Sequence, residues 1–228
     1  IEDTRTGRVR LEALHVQVPT ERLQQARAAA EVLGVEVFSK FPWAEGMQPM
    51  DHDRAELVLN RTWRPALSVT GVAGMPSLES AGNVLRPFTT LKLSMRIPPT
   101  LPPRQAADAL KQALEQDPPY GARVTFEPEK ASTGWDAPPL ASWLETSIQA
   151  ASATYFGRPM AAMGEGGTIP FMGMLGEKFP DTQFVITGVL GPHANAHGPN
   201  EFLHIPTGKR VTEAVVHMLV AHHHRPRR

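Results

Sequence analysis

Prolines arrive in pairs along this chain, at Pro98-Pro99, Pro102-Pro103, Pro118-Pro119 and Pro138-Pro139, and 22 prolines with 18 glycines punctuate its 228 residues. A proline fixes φ and removes a backbone donor, so it ends strands and is tolerated in a helix chiefly at the first turn. Short elements joined by many turns are therefore favoured over a bundle of long helices. The stretches between the breaks are legible. Leu91-Lys92-Leu93-Ser94-Met95-Arg96-Ile97 alternates apolar and polar residues, as a half-buried strand does, and Pro98-Pro99 ends it. Ala66 to Val72 is a second strand, running into a glycine-containing loop from Gly71 to Gly82. Pro102-Pro103 opens a helix with Ala106, Ala107, Leu110, Ala113 and Leu114 at helical spacing. Thr20 starts an earlier helix, with Leu23, Ala26, Ala30 and Leu33 on one face and Gly34 as its stop.

Residues 7–18 read as extended, residues 39–52 as surface loop with a short amphipathic turn at 55–59 after it, and Arg123 to Glu127 as one more strand. The order β-α-β-β-α-β is that of a ferredoxin-like sandwich, closing near residue 128. A polar, proline-containing link covers 129–139. Beyond it, Leu140, Trp143, Leu144, Ile148, Ala151 and Tyr155 predict a helix stopped by Gly157, and Phe171, Met174 and Leu175 predict another. Gln183 to Thr187 reads as a short buried strand of the parallel type, and Thr207 as the cap of a last helix through Val211, Val215, Met218 and Leu219. One strand cannot make a sheet, so this second region is expected to complete a larger α/β layer whose other strands lie outside the chain. The expected class is α/β (α+β): a ferredoxin-like sandwich over residues 1–130, followed by part of an α/β domain over 131–228.

With 23 basic and 23 acidic residues, the chain makes no electrostatic case for nucleic acid or an anionic membrane. No apolar run approaches the roughly 20 residues of a membrane span. Cysteine is absent, which excludes disulfides, thiolate nucleophiles and Cys-type zinc sites, and fits a reducing, cytoplasmic setting. The first residues, Ile1-Glu2-Asp3-Thr4-Arg5, are not a signal peptide and leave an internal start open.

Two stretches carry chemistry. Ala196-His197-Gly198-Pro199-Asn200-Glu201 follows the short apolar strand, the end of an α/β element at which ligands gather. A neutral imidazole there suits a divalent metal, and Asn200 or Glu201 can orient it; a loop histidine without a role is the alternative. Gly164-Glu165-Gly166-Gly167-Thr168-Ile169-Pro170 is a glycine turn opening a helix, whose first N–H groups attract an anion such as a carboxylate. A plain turn is the alternative there. It is not a P-loop, because no Lys-Ser/Thr follows. Arg86 can clamp a carboxylate bidentately or sit on the surface. No Gly-x-Ser-x-Gly elbow, His-x-Asp or Glu-Glu pair is present.

Taken in order, Trp63-Arg64-Pro65 with Leu67-Ser68, Asn83-Val84-Leu85, Leu93-Ser94-Met95-Arg96-Ile97-Pro98, the glycine turn and Ala196-His197 with Asn200-Glu201 resemble the C-terminal half of the aminoacylase, carboxypeptidase G and carnosinase superfamily of di-metal peptidases. The resemblance implies a catalytic domain with two divalent ions, zinc or alternatively manganese, and an inserted ferredoxin-like lid that also forms a homodimer. It implies that His197 is the C-terminal metal ligand. Gly167 and Thr168 would hold the substrate carboxylate, with Gly166 beside them and Glu165 lining the same pocket. An arginine at the start of the lid strand binds that carboxylate in dipeptidase-like members, and Arg86 stands one position from its place. The implied substrate is a small peptide or an N-acyl amino acid. The family's His-x-Asp motif, bridging aspartate and Glu-Glu base pair all precede the lid and are not among these residues; His15, in Leu14-His15-Val16, does not match the lid histidine. The expectation is thus one half of a hydrolase, inactive alone, with a non-catalytic dimerisation module or pseudo-enzyme as the alternative.

Overall fold

The computed structural model describes residues 1–165 and 170–225. They form two compact units, 1–136 with 163–165 and 170–174 in the first, and 137–162 with 175–225 in the second.

The first unit has two cores. In one, α1 (Thr20–Leu33) turns Ala26 and Ala30 inward, flanked by Leu23 and Leu33 on the face their spacing predicts. These small side chains admit α3 (Arg54–Thr62), which contributes Val58 and Leu59, while Trp63 closes the cluster. Gly34 ends α1 at φ 59°, a conformation glycine adopts without a Cβ penalty. A one-turn helix, α2 (Glu36–Ser39), adds Val37 where the chain reads as the approach to a loop. The structure also extends the expected short turn at 55–59 into a full helix. Asp53 caps it, its Oδ1 accepting the Ala55 N–H at 2.8 Å and the Glu56 N–H at 3.4 Å.

The other core centres on Leu14, which is fully buried, with Val9, Leu101, Ala106 and Leu110 around it. Ala106 and Leu110 come from α4 (Pro103–Glu115), which begins on its proline pair as expected. Against this core lies an antiparallel hairpin of β1 (Ala66–Ala73) and β2 (Thr90–Arg96). Ala66 pairs with Arg96 and Val69 with Leu93; an irregularity between Val69 and Gly71 then resets the register to Val72 opposite Leu91. Leu67, Met95 and Ile97 pack on the core, while Lys92, Ser94 and Arg96 face outward, so the alternation delivers its half-buried face.

The mixed α+β class expected for the chain is the class observed, with α1, the hairpin and α4 in their expected order. The ladder is narrower than that order implies. Among the described residues, β1 and β2 alone make a sheet. Residues 7–18 are not a strand: Val9 makes one bridge to Glu2, and a 3-10 turn at Glu12–Leu14 breaks the even spacing in order to bury Leu14. Residues 123–127 are extended without a ladder. The Phe126 N–H goes instead to the Glu115 carboxylate at 2.6 Å, the Phe126 side chain joins the Leu14 core, and Glu129 meets Lys92 at 2.8 Å.

In the second unit, α5 (Ser142–Phe156) packs on α7 (Ile205–His224), where Trp143 meets His222 and Tyr155 meets His217; Leu144, Ser147 and Ala151 of α5 and Val211 of α7 are buried. Gly157 ends α5 in the left-handed conformation. A further helix, α6 (Pro170–Lys178), whose residues up to Met174 belong to the first unit, bears Phe171, Met174 and Leu175 as expected. The buried strand expected at 183–187 is not formed. Ile186 is 66% exposed, and Gln183 spends its side chain on the Ala141 N–H at 2.6 Å. Without a neighbouring strand an apolar run has nothing to ladder with, however strand-like its composition. Thr207 is not the cap of α7; His204 is, its Nδ1 accepting the Thr207 N–H at 3.3 Å. Among the described residues no helix is long and apolar enough to cross a membrane.

Glu115 gives this architecture a pH dependence. Lys111 and then the Phe126 N–H hold its carboxyl below the usual value of 4.5. A depressed carboxylate stabilises the fold above its ordinary pKa, and that contribution is lost as pH falls through the lowered native value. Glu115→Gln should therefore speed hydrogen exchange at Phe126 at neutral pH, and the difference from the parent should shrink on acidification below pH 4.5.

Candidate functional site

The loop that presents His197 is constrained by its backbone. His193, Asn195, His197 and Asn200 all have positive φ, between 53° and 64°. Asparagine and histidine are among the few side chains that tolerate this region, so the residue types match the path. Gly191, at φ 86°, leads in; a Cβ there would stand 2.8 Å from both His204 Cβ and Thr207 Oγ1. The Asn195 side chain donates to the Pro199 carbonyl at 2.7 Å, and the Gly198 N–H reaches the Asn195 carbonyl at 2.8 Å. Phe202 N–H to Ala194 O at 3.1 Å and His204 N–H to Leu190 O at 2.7 Å tie the loop's two arms together. Glu201 does not orient the imidazole, the role its position suggested. Its Oε2 accepts the backbone N–H of His197 at 2.7 Å, and the His197 residue lies exposed. The loop thus holds the backbone of His197, and among the described residues its ring makes no hydrogen bond.

Glu165 lies in the first unit. Its Oε1 accepts from Arg61 Nη2 of α3 at 2.8 Å, and beside it a Cβ on Gly164 would come within 3.1 Å of Thr62 Cγ2. The last turn of α3 therefore holds the start of the glycine turn. Arg61 is a residue that sequence reasoning missed. It lies 104 positions from Glu165, and no local pattern links the two. Gly166, Gly167 and Thr168, expected to hold a carboxylate, lie outside the described residues. Arg86 sits exposed in the connection between β1 and β2, residues 74–89.

A two-ion centre needs several ligands close together. Among the described residues no three His, Cys, Asp or Glu side chains converge as a metal site, so the residues present do not fit such a centre by themselves. His197 offers one imidazole.

No family model matches the chain. It is 30% identical over 156 residues to the cysteinylglycine-S-conjugate dipeptidase of Corynebacterium striatum, across 67% of this chain and 32% of that protein. The solved di-peptidase Dug1p of Saccharomyces cerevisiae superposes with a TM-score of 0.70 at 16% identity, covering 99% of this chain and 47% of that one. Human carnosine dipeptidase 1 gives 0.68 at 16% identity, covering 97% and 46%. An M20 family metallo-carboxypeptidase from Sulfolobus solfataricus gives 0.66 at 17%, covering 96% and 49%. The chain has the fold of one portion of a carnosinase-type peptidase.

The resemblance to carnosinase-type peptidases read from the motifs holds in sequence and in fold, over about a third of the curated relative's length and just under half of each solved structure. In the second unit the histidine loop is closed by the hydrogen bonds described above. Glu201→Ala should release the His197 N–H. A charge-assisted bond in an exposed loop contributes about 1 kcal/mol, so hydrogen exchange at His197 should accelerate roughly fivefold, with the global unfolding midpoint little changed.

Proposed function

We propose that this chain is one portion of a dipeptidase or aminoacyl-hydrolase that cleaves an amide next to a free carboxylate in small peptides or N-acyl amino acids. The observation that carries the reading is the 30% identity to a dipeptidase over two thirds of the chain. In this reading residues 1–130 form the lid, and 131–228 belong to the catalytic domain. His197 supplies a single imidazole to a centre of two divalent ions, zinc or alternatively manganese, whose other ligands the described residues do not assemble. Bound there, the ions would supply an activated water. Glu165, Gly166, Gly167, Thr168 and Arg86 are the residues assigned to binding the substrate carboxylate. The chain alone hydrolyses nothing. Its work is done in a reducing, cytoplasmic compartment, a setting that the absence of cysteine fits. A recess of about 440 Å³ in the second unit, lined in part by Trp143, Val185, Val215 and Met218, suits packing against further strands of an α/β layer.

Replacing the matched portion of the Corynebacterium striatum dipeptidase with this chain gives a test. The chimera should hydrolyse dipeptides, and His197→Ala should lower its kcat/KM by at least about 100-fold together with its metal content, since even outer-shell changes at such sites cost 10–100-fold. Retention of both activity and metal by His197→Ala would remove His197 from the centre.

The lid role has its own support, and it would survive if the chain proved to be a non-catalytic dimerisation module or pseudo-enzyme. The connection between β1 and β2 exposes Leu78 at 91%, Leu85 at 98% and Phe88 at 60%, an apolar group that a second copy of the chain would cover. The chain should sediment as a dimer at micromolar concentration, and Leu85→Glu should yield a folded monomer.

A further inference from the structure

We propose that His223 and His224, in the last turn of α7, form a surface site for one divalent transition-metal ion of the class that imidazole binds, such as Cu²⁺, Ni²⁺ or Zn²⁺. Side chains one position apart on a helix ordinarily diverge. Here the two rings converge, with centroids 5.1 Å apart and planes at 73°. A tetrahedral ion with metal–nitrogen bonds of about 2.0–2.1 Å holds the centroids of two bound imidazoles about 5 Å apart, so the pair already has the spacing of a chelate. Both residues are exposed, and an ion can reach them from solvent. The last carbonyls of a helix lack intrahelical partners and carry the negative end of its dipole, which favours a cation at this end. His222 stands apart from the pair. Its ring lies 5.4 Å from that of Trp143 on α5, and the Arg225 guanidinium sits 5.1 Å from the same indole. Those contacts hold the end of α7 against α5 and draw the neighbouring cation of Arg225 to the indole. No third His, Cys, Asp or Glu joins the two imidazoles among the described residues, so water fills the remaining positions. A closed structural site takes all its ligands from the protein; this one is exchangeable. It excludes Mg²⁺ and Ca²⁺, which prefer oxygen ligands, and it requires nothing of His197.

The test titrates the 228-residue chain with Zn²⁺, following the histidine ring signals by NMR, and with Zn²⁺, Cu²⁺ and Mg²⁺ by calorimetry. Zn²⁺ should shift the rings of His223 and His224 together at one midpoint, with His222 little moved. Cu²⁺ should bind more tightly than Zn²⁺, and Mg²⁺ should give no heat at this site. His223→Gln and His224→Gln should each weaken the tail site at least about tenfold, since even outer-shell changes cost 10–100-fold in metal affinity. His222→Gln and His197→Ala should each change it by less than about threefold. Glutamine is a good helix former, and the backbone signals of α7 show that each variant keeps the helix. If His222→Gln costs as much as His223→Gln, the tract binds as an unstructured run of imidazoles, and the paired site is wrong. Zn²⁺ that leaves both rings unmoved overturns it as well, as does a site that Mg²⁺ fills equally. Loss of the tail signals in His197→Ala would assign the ion to the histidine loop instead.

Discussion

Each backbone N–H withdrawn from water needs an acceptor, and among the described residues a two-stranded sheet supplies few of them. Side chains make up the difference at the points where the chain changes direction. Glu115 takes the N–H of Phe126, Gln183 that of Ala141, Glu201 that of His197, and the Gln149 carboxamide both receives the Met160 N–H at 2.9 Å and donates to its carbonyl at 3.4 Å. At a carbonyl the roles reverse: Val9 O accepts from His15 Nε2 at 2.7 Å. These bonds let extended segments stay ordered without a ladder. They also explain why the fold keeps short helices around two small cores within its first unit.

This dependence decides what could be read in advance. Helices α1, α4 and α5 and the central hairpin follow from periodicity and from their proline and glycine stops, because those signals are local. The Asp53-x-x-Glu56 pattern before an apolar run was also present in the sequence, and weighed as a capping signal it predicts the whole of α3 rather than a single turn. Residues 123–127 and 183–187 carry strand composition, yet a strand is defined by its neighbour, and no neighbour is written in the segment itself. At the candidate site the division falls in the same place. His197 and Glu165 stand inside contiguous motifs. Arg61 meets Glu165 only through the fold, and His204 reveals itself as a cap only once Thr207 turns back toward it.

The similarities divide along physical lines as well. At 16–17% identity the solved peptidases carry the path of the backbone and little about side chains. The 30% identical dipeptidase brings the chemistry closer but spans a longer protein, of which this chain matches 32%. A function argued for such a chain therefore has to pass through individual residues, and a single imidazole does not make a metal centre. What the chain does hold is the framing of that imidazole.

That framing comes with a cost that a spectator loop has little reason to bear. Left-handed backbone disfavours residues other than glycine by about 1–2 kcal/mol each, less for asparagine and for histidine than for bulkier types. Four such residues within eight positions would destabilise an isolated loop, so the surrounding bonds must over-determine its path. They do: Asn195 to Pro199, Gly198 to Asn195, Phe202 to Ala194 and His204 to Leu190 close it from both ends. The result holds the His197 backbone through Glu201 and directs no hydrogen bond of its own at the ring. A loop built only to connect two elements would be served by fewer constraints and by glycine at its left-handed positions. Asparagine and histidine tolerate the left-handed region better than bulkier residues, so the residue types agree with the path that these bonds hold.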